Sequence, residues 1–318
     1  MDQRARTQSA CDHRRMRSSA LSRREVLGAI ASLCATPAFA HARERDVAGA
    51  LRALETRAGG RLGVGILHTG SGRIVGHRLD ESFAMCSTFK LPLAGVILHE
   101  ADAGRLDLEE VLPYTEKDLI SHAPVTTAHL REGGMTIAAL AEAAQVTSDN
   151  LAANLLLKRL GGPAGFTATL RALGDETTRL DRYEVELNIV RSGDVRDTTT
   201  PRAMAQTVAR FVTGDVLKPA SRNRLIEWTA TTQTGLRRIR AGLPAGWRAG
   251  DKTGTAMAEG MTDKYNDVAV CWPPDASAIV VAAYYDTAVA SDRIRGDLEA
   301  VLAEVGRIAA ATATGVGA

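Results

Sequence analysis

Strand-like and helix-like periodicities fall in separate blocks of this chain, and the strand blocks lie far apart. Gly60–Leu67 alternates like a strand, Thr69-Gly70-Ser71-Gly72 reads as a turn and Arg73–His77 as a second strand, which together predict a hairpin. The pattern then stays mainly helical to about Trp228, broken by glycine or proline at Gly133-Gly134, Gly161-Gly162-Pro163, Gly193 and Pro201. Three strand-like runs follow: Trp247–Thr255, Asn266–Trp272 and Ala278–Tyr285. Helical spacing flanks the whole, with Val47, Leu51 and Leu54 between Asp46 and Arg57, and an amphipathic stretch from about Ser291 to Ala309. Strands satisfy their backbone only by pairing, so the simplest solution joins early and late strands in one sheet. The expected fold is therefore α/β of the α+β kind. It has a five-stranded antiparallel sheet flanked by helices, an inserted all-helical lobe, and an active site in the cleft between lobes. The boundaries read as an α/β lobe over about 41–80 and 232–318, and a helical lobe over about 81–231.

At 318 residues, 45% hydrophobic and 24% charged, the chain has ample material for a buried core. Its formal charge of +2 is concentrated at the start: residues 1–40 carry seven arginines against Asp2, Asp12 and Glu25, and the remainder holds 32 basic and 34 acidic residues. That balance offers no electrostatic ground for binding nucleic acid or an anionic membrane. Ser22-Arg23-Arg24-Glu25-Val26-Leu27, the small apolar residues after it and Ala38-Phe39-Ala40 fit a twin-arginine export signal with its cleavage pattern. Residues 1–40 are thus expected to engage export machinery and be removed, which leaves a periplasmic or secreted catalytic domain over 41–318. The apolar run from Val26 is too short for a stable membrane anchor. Cys11 and Cys34 go with the signal; Cys86 and Cys271 read as buried small hydrophobes. The seven histidines show no ligand spacing, so neither metal nor cofactor is expected, and nothing points beyond a monomer.

Chemistry concentrates in three short motifs. Ser87-Thr88-Phe89-Lys90 precedes the apolar run Leu91–Leu98, so a serine opening a helix would share a face with a lysine three residues on. A helix start also offers unpaired N–H groups to a developing anion. Alone, the pattern is better described as a capped helix with an exposed lysine. Ser148-Asp149-Asn150 alone reads as a helix cap, and Lys252-Thr253-Gly254 as part of a strand. Together, in this order, the trio characterises penicillin-binding proteins and class A serine β-lactamases, while G-x-S-x-G is absent.

From about residue 45 onward the sequence resembles the class A β-lactamases, also through Arg182-Tyr183-Glu184-Val185-Glu186-Leu187-Asn188 and Arg196-Asp197-Thr198-Thr199-Thr200-Pro201. The resemblance implies a small-molecule β-lactam substrate and a set of roles. Ser87 would be the nucleophile, and its N–H with that of Thr255 the oxyanion hole. Gly254 would let substrate approach the strand. Lys90 or Glu184 would start acylation, Ser148 would pass a proton to the leaving nitrogen, and Lys252 would supply positive charge. Asn150 would hold the substrate's side-chain amide, and Thr253, Thr255, Lys252 and Arg238 its carboxylate. Glu184 with Asn188 would hold the hydrolytic water, Arg182 and Asp197 would close the neck of the loop between them, and His122 would gate the site. Lacking Glu184, the scaffold would be a D,D-peptidase, a transpeptidase or a β-lactam sensor that stays acylated.

Three departures stand out. Val185 replaces a proline common in relatives, and the Glu184–Val185 bond is nevertheless expected to be cis. Cys86 stands where some carbapenem-hydrolysing relatives have a disulfide, but the partner position holds Ala256. The stretch Ala256–Tyr265 is longer than the usual turn and rims the pocket.

Overall fold

The computed structural model describes residues 46–313. The expected export signal, residues 1–40, lies outside them. A helix over 46–58 (α1) leads into β1 (Arg61–His68) and β2 (Arg73–His77). Next come β3 (Phe83–Ala84), a 3₁₀ turn over Cys86–Phe89, and α2 (Lys90–Asp102). The chain continues through β4 (Val111–Pro113), α3 (Pro124–Ala128), β5 (Gly134–Thr136), α4 (Ile137–Val146), α5 (Asn150–Arg159) and α6 (Gly162–Ala172). A long loop, 173–197, reaches β6 (Thr198–Thr199), α7 (Pro201–Thr213) and α8 (Pro219–Ala230). The last elements are β7 (Arg248–Ala256), β8 (Lys264–Trp272), β9 (Ile279–Asp286) and α9 (Gly296–Ala313).

The early hairpin and the late strands form one antiparallel five-stranded sheet in the order β2-β1-β9-β8-β7, as the separated strand blocks predict. Side chains alternate between its faces with period two. Val281, Ala283 and Tyr285 join α1 and α9 in one buried cluster, while Val280, Ala282 and Tyr284 join α2 and α4–α8 in another. Covered on both faces, β9 is buried along almost its whole length, which is why its sequence is a continuous apolar run. On β1, Leu62, Val64 and Ile66 face α1 and α9. Gly65 faces the other way, where an added Cβ would lie 2.7 Å from the Pro201 carbonyl oxygen. A glycine there lets α7 start directly over the sheet.

Two details differ from the sequence reading. The helical block contains two small ribbons, β3 with β6 and β4 with β5, too short to register as strand periodicity. The last helix starts at Gly296 rather than near Ser291, because Ser291 donates through both its N–H and its hydroxyl to Asp263, and Arg295 N–H donates to the Tyr265 hydroxyl. These tertiary bonds hold 291–295 outside the helix.

Candidate active site

Ser87 does not open an α-helix. It sits in the 3₁₀ turn Cys86–Phe89, and α2 begins at Lys90. The face-sharing argument survives the tighter turn: Lys90 Nζ donates to Ser87 Oγ at 3.0 Å. Lys90 reaches across the core as well, to Asn150 Oδ1 (2.5 Å), the Ser148 carbonyl oxygen (3.0 Å), Ser148 Oγ (3.4 Å) and Glu184 Oε1 (2.9 Å). Both side chains of the Lys90–Glu184 pair are fully buried. Burial drives the Lys90 amine below its ordinary range, and the Glu184 carboxylate opposes that fall only in part.

Ser148 and Asn150 flank the start of α5. Asp149 caps it by accepting from Ala152 N–H (2.9 Å), and its other oxygen accepts from Val125 and Thr126 N–H. Ser148 Oγ therefore lies between two lysines, at 3.0 Å from Lys252 Nζ and 3.4 Å from Lys90 Nζ. Lys252 is fully buried, and burial together with the Lys90 charge pushes it down to about 7. Asn150 donates one amide hydrogen to the Ser121 carbonyl oxygen (2.8 Å), which leaves the second for a ligand.

Glu184 lies in the loop 173–197, and its bond to Val185 is cis. Its Oε1 accepts from Ser87 Oγ at 3.2 Å and its Oε2 from Asn188 Nδ2 at 2.6 Å, so one carboxylate spans serine and asparagine. Asn188 Oδ1 is buried without a protein partner. At the neck of the loop, Arg182 Nε donates to Asp197 Oδ2 (2.5 Å), while Asp197 Oδ1 accepts from the N–H groups of Asp181 (2.7 Å) and Arg182 (2.9 Å).

β7 forms the sheet edge against this cluster. Here the structure reassigns Gly254. Its missing side chain faces the serine turn rather than the pocket, since an added Cβ would lie 2.7 Å from the Met85 carbonyl oxygen and 3.1 Å from Cys86 Cβ. Thr253 Oγ1 donates to Thr234 Oγ1 (3.0 Å). Arg238 is only 2% exposed and lies behind the strand, bonded to Thr255 Oγ1 (2.7 Å), the Gly254 carbonyl oxygen (3.1 Å) and Glu299 (3.2 Å). Its charge meets the site through the Thr255 hydroxyl. His122 is exposed at the rim, its Nε2 3.0 Å from the Thr147 carbonyl oxygen. Cys86 and Cys271 are free and buried, and Cys86 packs with Ala256, Val190 and Met261.

Cys86, His122, Ser148 and Asp197 all have positive φ (46°, 57°, 63° and 56°). Left-handed backbone at non-glycine residues costs on the order of 1–3 kcal/mol and persists where surrounding bonds impose it, as they do at functional sites.

Two contributors escape the sequence reading. Asn154 Oδ1 accepts from Glu184 N–H (2.9 Å) and its Nδ2 donates to the Glu184 carbonyl oxygen (2.8 Å), clamping the glutamate's backbone from both sides. Its signal is a polar residue four positions after Asn150, inside the otherwise apolar run Leu151–Leu157. Asn266, on β8, donates to the carbonyl oxygens of Ala84 (2.8 Å) and Met85 (3.2 Å); its signal is an asparagine inside a buried strand.

A half-buried serine between an amine and a carboxylate, beside a sheet edge and under a loop, agrees with what the chain is similar to. A family model described as the β-lactamase enzyme family matches residues 46–313. β-Lactamase L2 of Stenotrophomonas maltophilia is 45% identical over 305 residues, covering 91% of this chain and 98% of the relative. β-Lactamase AST-1 of Nocardia asteroides is 47% identical over 258 residues, 80% of each. The solved structure of an ancestral class A β-lactamase superposes with a TM-score of 0.78 at 50% identity, over 84% of this chain and 99% of that one.

Proposed function

The chain belongs to the class A β-lactamase family, and we propose that it hydrolyses the β-lactam ring of antibiotics through an acyl-enzyme on Ser87, thereby conferring resistance. The observation that carries this reading is the Glu184 carboxylate, with one oxygen on the Ser87 hydroxyl and the other on Asn188. One base then serves both halves of the reaction.

In the first half, Ser87 Oγ attacks the lactam carbonyl carbon and its proton passes to Glu184 Oε1, toward which it already points, or, where that carboxylate is removed, to the buried Lys90 amine, which then loses the partner that favours its charge. Lys90, donating to Ser87 Oγ, holds the hydroxyl in line and offsets the carboxylate's charge. The N–H groups of Ser87 and Thr255 receive the oxyanion. As the C–N bond breaks, the lactam nitrogen takes a proton from Ser148. That hydroxyl accepts from both lysines, so its own hydrogen is free to donate, and Lys252 or Lys90 replaces it. In the second half, Glu184, its first proton handed through Lys90 to restore the amine that recharged Ser148, takes a proton from a water held with the unpaired Asn188 Oδ1. The water attacks the ester carbon, and Ser87 leaves and recovers its proton. Lys252, Thr253 and Thr255, the last backed by Arg238, receive the substrate carboxylate; Asn150 receives its side-chain amide and His122 borders the entrance. On this reading residues 1–40 are an export signal ahead of a catalytic domain of two lobes, and the mature enzyme is a monomer without a cofactor.

Turnover of a chromogenic cephalosporin by the purified mature protein tests the reading. Continuous hydrolysis is expected from the parent, a burst of one equivalent from Glu184→Ala, and neither from Ser87→Ala. A parent that stops after one equivalent would instead be a sensor or transpeptidase.

A further inference from the structure

Two strands of the chain must be held at a fixed separation for the proposed oxyanion hole to work. One N–H comes from Ser87 in the 3₁₀ turn and the other from Thr255 on β7, and no covalent link shorter than 168 residues joins them. The turn has no side-chain cap of its own: its N-cap is Met85, whose side chain makes no capping bond.

Met85 is held instead through its peptide groups. Its N–H donates to the Asp197 carbonyl oxygen (3.0 Å), at the neck of the loop that carries Glu184. Its carbonyl oxygen accepts from Thr88, through the backbone N–H (3.2 Å) and Oγ1 (2.8 Å), and from Asn266 Nδ2 (3.2 Å). The Asn266 amide also donates to Ala84 (2.8 Å), so one side chain grips two successive carbonyls just before Cys86 and Ser87. Asn266 is 1% exposed and lies directly opposite Gly254 in the β7–β8 pairing. A Cβ added at Gly254 would lie 2.7 Å from the same Met85 carbonyl oxygen, so only a residue without a side chain fits there.

The backbone of Asn266 holds the second donor. Its carbonyl oxygen accepts from Arg238 Nη1 (2.8 Å), which also donates to Gly254, while Nη2 holds Thr255 Oγ1 (2.7 Å). Through its side chain Asn266 fixes the serine turn, and through its main chain it fixes the guanidinium that fixes Thr255. We infer that Asn266 is a positioning residue for acylation, setting the span between the two oxyanion donors. A buried side chain spent on main-chain carbonyls would otherwise be needed only for folding, and the connection to both halves of the hole is what assigns it a part in the reaction.

The inference rests on the acyl-enzyme reading, and the test separates the two. In Glu184→Ala the acyl-enzyme accumulates, so stopped-flow mixing with a chromogenic cephalosporin reads the acylation rate and the pre-covalent dissociation constant separately. Adding Asn266→Asp, which keeps the shape and removes the donors, is expected to slow acylation about tenfold or more, at an unchanged one-equivalent amplitude and a dissociation constant within about twofold. Asn266→Ala should behave alike, and serves alone if the aspartate variant does not fold. A purely structural role would lower the melting temperature and leave the acylation rate of the folded protein in place, which overturns the inference. No burst in Glu184→Ala by itself would overturn the acyl-enzyme reading, and the inference with it.

Discussion

Lys252 carries the residue-scale consequence most open to measurement. A lysine free in water stays charged to about pH 10.4, but complete burial and the charge of Lys90 push Lys252 down to about 7. The charged form is therefore present below that pH and lost above it. If Lys252 supplies positive charge to the substrate carboxylate, KM should rise by roughly tenfold as pH climbs through the neutral range, with kcat less affected. Lys252→Arg keeps its charge throughout and should flatten that limb, whatever it costs in kcat. Steady-state kinetics across pH on a carboxylate-bearing β-lactam checks this; a KM indifferent to pH would remove Lys252 from the carboxylate site. Ser148 illustrates the same scale from the other side, since its hydroxyl is useful only because two buried amines both donate to it.

On the proposed mechanism, the element that turns a reactive serine into a turnover site is the loop 173–197. Its inner side is held by Asn154 on the Glu184 backbone and by buried Leu187 and Val190. Its outer side borders a cavity of ≈ 970 Å³ whose lining includes Arg61, Val195, Met261 and Val289. At the neck, hydrogen bonds and an ion pair close the loop. Asp197 is fully buried and accepts from Arg182 Nε and two backbone N–H groups. Asp197→Ala leaves those donors without their acceptor and should cost about 3–5 kcal/mol in denaturant unfolding. Glu184 loses its place before Ser87 does, so the folded variant should deacylate more slowly than it acylates. Mass spectrometry during turnover should then find the acyl-enzyme accumulating; free enzyme under saturating substrate would contradict this.

For the whole molecule, the sheet brings together residues from both ends of the chain, so the site exists only once β1 and β7–β9 have paired. Among the described residues no helix is long and apolar enough to cross a membrane. The proposed export route thus depends on residues 1–40. Replacing Arg23 and Arg24 by lysines should keep the enzyme in the cytoplasm and abolish resistance of the host, while activity in lysate persists. Cell fractionation checks this, and unchanged periplasmic activity would refute a twin-arginine route.

Much of this protein was written in short-range patterns. The alternating blocks predicted the sheet and its hairpin, and Ser87 with Lys90, three residues apart, predicted their own contact, because local backbone geometry alone brings such neighbours together. The trio of motifs and the Glu184 stretch carried the family. What tertiary structure decided lies where distant segments share a space. At Gly254 the Met85 carbonyl oxygen fills the place of a Cβ, which no local pattern could reveal. Arg238 serves the site from behind β7 through one hydroxyl. Asn154 and Asn266 act on backbone 30 and 181 or more residues away, and a hydrogen bond across such a separation leaves no periodicity in the sequence. The 3₁₀ turn at Ser87 likewise follows from bonds to Met85 made by a distant strand. Composition and spacing could supply the chemical groups; only the packed fold could set the ångströms between them, since those distances are fixed by contacts that no local stretch contains.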